Sequence, residues 1–355
     1  MTLTDQSTQI RAGEELDANR IDPYLKANIP GLVGEPRISQ FPGGASNLTY
    51  LIQYPDQEFV LRRPPFGHKA RSAHDMGREY RILNQLKDAF PYCPKAYVHC
   101  TDEAVIGAEF YVMERVKGII LRSELPTGLN FDAAQTEALC KSFIDKLVDL
   151  HQVDYQAAGL GDLGKPQGYV ARQISGWSDR YEKARTPDAP DWLAVKAWLN
   201  DKMPADHPKS SIVHNDYRFD NVILDPANPS QIIGVLDWEL TTLGDPLMDL
   251  GNTLAYWVQA DDPAPVQMMR RQPSHAPGML TRQQFVAYYA ERSGIQIDNF
   301  DFYYTYGLFR MAGIVQQIYY RFFHGQTQDK RFAQFIYVNK LLEQMSLQVI
   351  AKSSL

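Results

Sequence analysis

Residues 213–225 read VHNDYRFDNVILD, and residues 234–239 read GVLDWE. The first stretch sets three polar side chains, His214, Asp216 and Asn221, at fixed spacing between two apolar runs. A hairpin turn would explain the Asp and Asn by their own backbone preferences. A phosphoryl-transfer loop explains the spacing as well. In His-x-Asp-x-x-x-x-Asn the Asp accepts the proton of an attacking hydroxyl, and the Asn reaches a Mg²⁺ ion held by nucleotide phosphates. His214 then braces the loop rather than reacting. Asp237 ends an apolar strand sixteen residues after Asn221 and supplies a second oxygen ligand for that ion. The pair of segments favours the phosphoryl-transfer reading, with Asp216 as the catalytic residue and Asn221 and Asp237 as the metal ligands.

Working outward, the elements change character along the chain. Residues 1–16 are polar and read as a flexible tail. Asp22-Pro23 suggests a short helix start. Strands follow at 37–41, 47–54 and 58–63, a helix at 73–89, and strands near 96–100 and 109–114. Beyond residue 115 the periodicity is helical, at 131–151, 168–186, 190–202, 246–259, 281–294, 300–324 and 329–352, with short strands only near 222–225 and 231–236. This predicts an α+β chain of two lobes: residues 17–115, a small antiparallel-sheet lobe that binds nucleotide, and residues 116–355, a larger helical lobe that carries catalysis and the acceptor site. Asp245 caps the helix that Pro246 opens. Asp249 reads as structural and His151 as a helix-end residue.

The chain has 36 basic and 42 acidic residues, a net charge of −6, which argues against a general nucleic-acid binder. Three dispersed cysteines form no metal-binding spacing and fit a reducing compartment. No apolar run approaches the length of a membrane span. The expectation is a cytoplasmic protein with a small-molecule acceptor, and with neither nucleic acid nor membrane as partner.

HNDYRFDNVILD followed by GVLDWELTTLGDPLMDL resembles the aminoglycoside phosphotransferase family. Within it, the chain is similar to the kinase-like part fused to some acyl-CoA dehydrogenases, from about residue 20 to 345. The resemblance implies a bilobal protein-kinase-like fold, ATP and Mg²⁺ as cofactors, and a small hydroxylated acceptor. The family usually writes His-Gly-Asp where this chain has Asn215, and Asn tolerates left-handed backbone. Gly43-Gly44-Ala45-Ser46-Asn47 resembles the family's phosphate loop, so Ser46 and Asn47 join the nucleotide set. The third strand should carry a cation. Arg62 stands there in place of the usual Lys, with Glu79 on the next helix as its partner. Met113, Glu114 and Val116 match the segment that receives adenine.

For the acceptor, residues 303–324 and 169–177 are aromatic with Arg172, Arg310 and Arg321 interspersed. That composition points to an anionic acceptor, and with the resemblance to a hydroxyacyl-CoA or hydroxy acid. An aminoglycoside, a choline-like amine or a sugar is the alternative acceptor. A nucleotide-binding protein without catalysis is the alternative activity, motivated by Arg62 and Asn215.

Overall fold

The computed structural model describes residues 3–42, 47–66 and 75–355. Gly43, Gly44, Ala45 and Ser46 of the expected phosphate loop lie outside the described residues. The chain separates into two compact units: Met1–Ile120 with Ala157–Leu160 and Val222–Glu239, and the remaining residues.

The first unit is built on an antiparallel sheet of β1 (Arg37–Gln40), β2 (Leu48–Gln53), β3 (Glu58–Arg63), β4 (Ala96–Cys100) and β5 (Phe110–Glu114), in the order β1-β2-β3-β5-β4. Helix α1 (Ala18–Asn28) brings Ile21 and Leu25 onto a core of Tyr50, Ile52, Phe59, Leu61, Phe110 and Val112. Helix α2 (Met76–Leu86) buries Met76, Glu79, Ile82, Leu83 and Leu86. Most of β3 is buried, because alternation gives each face a task. Phe59 and Leu61 enter the α1 core, while Arg62, on the opposite face, meets Glu79 of α2.

Residues 3–16 are not a free tail. Thr8 and Gln40 exchange backbone hydrogen bonds of 2.7 and 3.0 Å along the β1 edge, and Ile10 and Leu16 pack on the core. The apolar residues of this polar segment are too sparse to show a period, yet each finds the sheet.

Strands β7 (Val222–Leu224) and β8 (Ile232–Val235) form a hairpin. A linear boundary at residue 115 assigns it to the helical part, but it packs with the first unit. Ile119 and Leu224 pair through backbone bonds of 3.0 and 2.8 Å. Gly118 allows this approach, since a Cβ there would sit 2.4 Å from the Leu224 carbonyl oxygen.

The second unit is helical: α3 (Ala133–Gln152), α4 (Tyr169–Ala184), α5 (Leu193–Asp201), α6 (Pro246–Ala255), α7 (Ala264–Gln267), α8 (Arg282–Ser293), α9 (Asp301–Phe323) and α10 (Phe335–Lys352). Strands β6 (Ser211–Val213) and β9 (Thr242–Gly244) pair only with each other and escape sequence periodicity, being three residues long. Asp245 caps α6 by accepting from the Leu247 amide at 2.8 Å. Helix α9 is largely buried and crosses α6 at two glycines. A Cβ on Gly307 would fall 2.1 Å from the Gly251 oxygen, and one on Gly251 would fall 2.2 Å from the Tyr303 oxygen. Backbone cannot yield as a flexible side chain would. Gly307→Ala is therefore expected to destabilise the chain by about 3 kcal/mol, read as a lower urea midpoint. An unchanged midpoint would show that the helices can separate without cost.

Candidate active site

The turn after β6 carries the expected catalytic loop. Its backbone is held by Asp249, fully buried on α6. The Asp249 carboxylate accepts from the His214 and Asn215 amides, each at 2.7 Å, and from His151 Nε2 at 3.1 Å. His151 Nδ1 lies 2.7 Å from the Tyr289 hydroxyl. His151 thus orients the anchor and is more than a helix-end residue. Burial opposes the charge on Asp249, but the hydrogen bonds from His151 and from the His214 amide outweigh it. Its carboxyl is held below the usual range.

Asn215 adopts φ +65°, the left-handed region that favours glycine and that asparagine tolerates. Its side chain is put to use: Nδ2 donates to the Leu240 carbonyl at 3.0 Å, and Oδ1 accepts from Asn252 at 3.1 Å. The Asp216 amide donates to His214 Nδ1 at 3.2 Å, so His214 braces the turn from within.

Asp216 is thereby presented between two donors. Asn221 Nδ2 donates to its Oδ2 at 2.9 Å, Arg218 Nη2 donates to the same oxygen at 3.3 Å, and the guanidinium forms an ion pair with Oδ1 at 3.0 Å. Arg218 also lies 3.3 Å from Asp220 and 4.7 Å from the centre of the Tyr256 ring. Burial disfavours its charge, yet Asp216 and Asp220 keep it firmly protonated. The sequence reading passed over Arg218; its signal was a cation two residues after Asp216.

The first unit holds a separate polar cluster. Arg62 Nη1 lies 3.5 Å from Glu79 Oε2, and Arg62 Nη2 lies 3.1 Å from Asp237 and 3.7 Å from Glu239. Glu79 also accepts from the Tyr111 hydroxyl at 2.8 Å. Asn47 Nδ2 bridges Glu79 and Glu239 at 3.2 and 3.0 Å. Burial pushes the Glu79 carboxyl up against the pull of Arg62 and the Tyr111 hydrogen bond. Asp237 has φ +67°. Glu239 was missed, although a second carboxylate two residues after Asp237 was visible in DWE. Met113 is buried in β5, the Glu114 carboxylate accepts from the Lys95 amide at 3.0 Å, and Val116 packs beside Gly234. Among the described residues no group of three His, Cys, Asp or Glu side chains is placed to hold a metal by itself.

The three arginines expected at the acceptor serve three different places. Arg310 is buried, donates to the Asn215 carbonyl at 2.8 Å and lies over Trp177. It supports the catalytic loop because a buried cation must spend its donors on nearby oxygens. Arg172 donates to the carbonyls of Lys165 and Gln167 just before its own helix. Arg321 sits in the exposed last turn of α9, eleven residues or about 16 Å along the helix from Arg310.

Residues 37–285 match the model of the phosphotransferase enzyme family. The chain belongs to this family. Phosphoryl transfer to a small-molecule hydroxyl is the reaction class to which membership points. The phosphotransferase chain is 34% identical to acyl-CoA dehydrogenase family member 10 of Mus musculus over 340 residues, covering 95% of this chain and 31% of that protein. It therefore spans about a third of the length of that relative. A solved Ralstonia eutropha JMP134 protein, provisionally described as an aminoglycoside phosphotransferase, has a TM-score of 0.82 and 31% identity, covering 96% of this chain and 100% of that one. The spectinomycin phosphotransferase APH(9)-Ia, solved with ADP and spectinomycin, has a TM-score of 0.59 at 14% identity, covering 94% and 99%. That second likeness concerns the fold alone, which is protein-kinase-like. Among the described residues no helix is long and apolar enough to cross a membrane.

Folding lowers the pKa of Asp249, so its ionised form stabilises the chain above the unfolded value of about 3.9, and that contribution is lost as pH falls through the folded value. Asp249→Asn is expected to cost about 3 kcal/mol at pH 7, and clearly less at pH 3, in urea unfolding followed by tryptophan fluorescence. An equal deficit at both pH values would rule out the charged carboxylate as the anchor.

Proposed function

We propose that the chain is an ATP- and Mg²⁺-dependent kinase that phosphorylates the hydroxyl of a small acidic acceptor, a hydroxy acid or hydroxyacyl-CoA. The observation that carries the reading is the Asp216 carboxylate, held by Asn221 at 2.9 Å on a loop whose backbone Asp249 anchors. Phosphoryl transfer asks for positioning and charge neutralisation more than for covalent chemistry. Asp216 orients the acceptor hydroxyl and takes its proton. Arg218 and Asn221 fix the carboxylate for that step.

The first unit contributes the nucleotide side. Arg62 meets the phosphates and Glu79 holds Arg62, with Asn47 near the phosphates and Met113, Glu114 and Val116 at the adenine. ADP in the spectinomycin phosphotransferase supports a nucleotide in this fold. Mg²⁺ takes oxygen donors and is usually bound through one or two protein groups plus substrate phosphates. Asp237, whose side chain is one-third exposed, and Asn221 each offer an oxygen of the kind this ion takes. When bound, the ion neutralises charge on the phosphates.

The acceptor class draws support from the relative named for an acyl-CoA dehydrogenase. The three cysteines are buried and free, which suits a reducing cytoplasm.

With ATP, Mg²⁺ and a panel of hydroxy acids, hydroxyacyl-CoA thioesters, choline and kanamycin, one acidic acceptor is expected to drive ADP release. Asp216→Asn should lower kcat by about 10²–10⁴-fold while ADP still binds. Turnover at the parental rate in that variant would sink the assignment. Arg218→Ala is expected to lower kcat with little change in the KM for ATP, and Arg218→Lys to recover only part, since a compact ammonium cannot reach Asp216 and Asp220 together as the guanidinium does. Full activity of Arg218→Ala would show that Asn221 alone positions the base.

A further inference from the structure

A groove of roughly 1030 Å³ runs along the second unit. Its walls are α7, the segment Met268–Arg271, the short 3-10 helix Lys330–Gln334 and the first half of α10. Two features make it unusual for a solvent-facing surface. Met268 is 81% exposed and Tyr337 66% exposed, beside Phe335 and Leu341, so apolar groups stand in water without a covering element. Every charged residue that lines the groove is basic: Arg271, Arg331 and Lys340. Arg331 is paired with Asp329 at 2.6 Å, which leaves Arg271 and Lys340 as the charges facing a ligand. On a chain with net charge −6, this is a local reversal of sign.

The groove is also tied to the catalytic loop. Gln272, the residue after Arg271, is buried; it accepts from the Phe219 amide at 3.0 Å and donates to the Tyr256 carbonyl at 3.1 Å. The Tyr256 ring lies beneath Arg218, the residue that grips Asp216. The groove wall is therefore continuous with the support of the catalytic carboxylate.

We propose that this groove holds the tail of the acceptor, an acyl chain whose anionic end is met by Arg271 and Lys340. The inference rests on the kinase reading for the word acceptor, while binding itself does not. Apolar walls favour hydrocarbon and the basic rim favours a carboxylate or phosphate over an amine. The same rim repels a polycationic aminoglycoside.

The test is a fluorescence titration of the full chain with 11-(dansylamino)undecanoate. Met268→Asp and the double variant Arg271→Glu/Lys340→Glu alter exposed side chains, so the urea midpoint and ADP binding are expected to hold. Each should weaken the probe by about tenfold or more, while Asp216→Asn binds it as the parent does. Octanoate and octanoyl-CoA are then added as competitors. Displacement by either supports the groove and shows which anionic head it prefers. No binding by the parent, equal binding by the groove variants, or equal displacement by dodecyltrimethylammonium would overturn the proposal. Probe binding without phosphoryl transfer to any acceptor would leave the groove standing and sink the kinase reading instead.

Discussion

The loop from His214 to Asn221 depends on one buried carboxylate. Asp249 has no exposure, and an ionised carboxylate in such a place is destabilising by several kcal/mol unless its oxygens are satisfied. Two backbone amides and His151 satisfy them. The amides belong to His214 and Asn215, the two residues that precede Asp216. The same three hydrogen bonds that make the charge tolerable therefore fix the turn that presents Asp216. Arg310 takes the Asn215 carbonyl from the other side, so the strained residue has both backbone groups occupied. A left-handed backbone at a non-glycine residue costs roughly 1–2 kcal/mol, and the bonds made by the Asn215 side chain offset it. Asparagine in place of the family's glycine thus converts a permissive residue into a bonded one.

Arg62 follows the same logic within the first unit. A lysine there would be a single point charge on a flexible stem. The guanidinium instead reaches Glu79 through one terminal nitrogen and Asp237 and Glu239 through the other. Burial disfavours its charge, and the carboxylates of Glu79, Asp237 and Glu239 more than restore it. The cluster stays acid-rich around its arginine, and it joins residues from β3, α2 and the segment after β8. That is why Val222–Glu239 packs with the sheet despite its place among helices in the sequence.

What could be read from the sequence was what local spacing encodes. The order of strands and helices follows from periods of two and about 3.6 residues, and Arg62 faces Glu79 because alternation puts it opposite Leu61. The spacing of Asp216 and Asn221 survives as a hydrogen bond. The pairings that were missed act across distance. Asp249 lies 35 residues from His214 and 98 from His151 in the chain. Glu239 meets Asn47 over 192 residues, and Arg310 meets Asn215 over 95. No periodicity carries such pairings. The opening segment failed for a related reason, since one edge pairing with Gln40 orders a stretch too polar to announce a strand.

The fate of the acceptor arginines bears on substrate charge. Composition alone made Arg172, Arg310 and Arg321 a common anion site, but a buried arginine is nearly always committed to oxygens already present in the fold. Arg310 is spent on the catalytic loop and Arg172 on its own preceding carbonyls. Cations available to a ligand must instead be those on an exposed rim, where solvent has supplied the partner until a ligand replaces it. Arg271 and Lys340 meet that condition, and they do so beside apolar walls that an anion alone would not require. A preference for negative charge and a preference for hydrocarbon then belong to one surface, and a substrate that satisfies only one of them should bind there weakly.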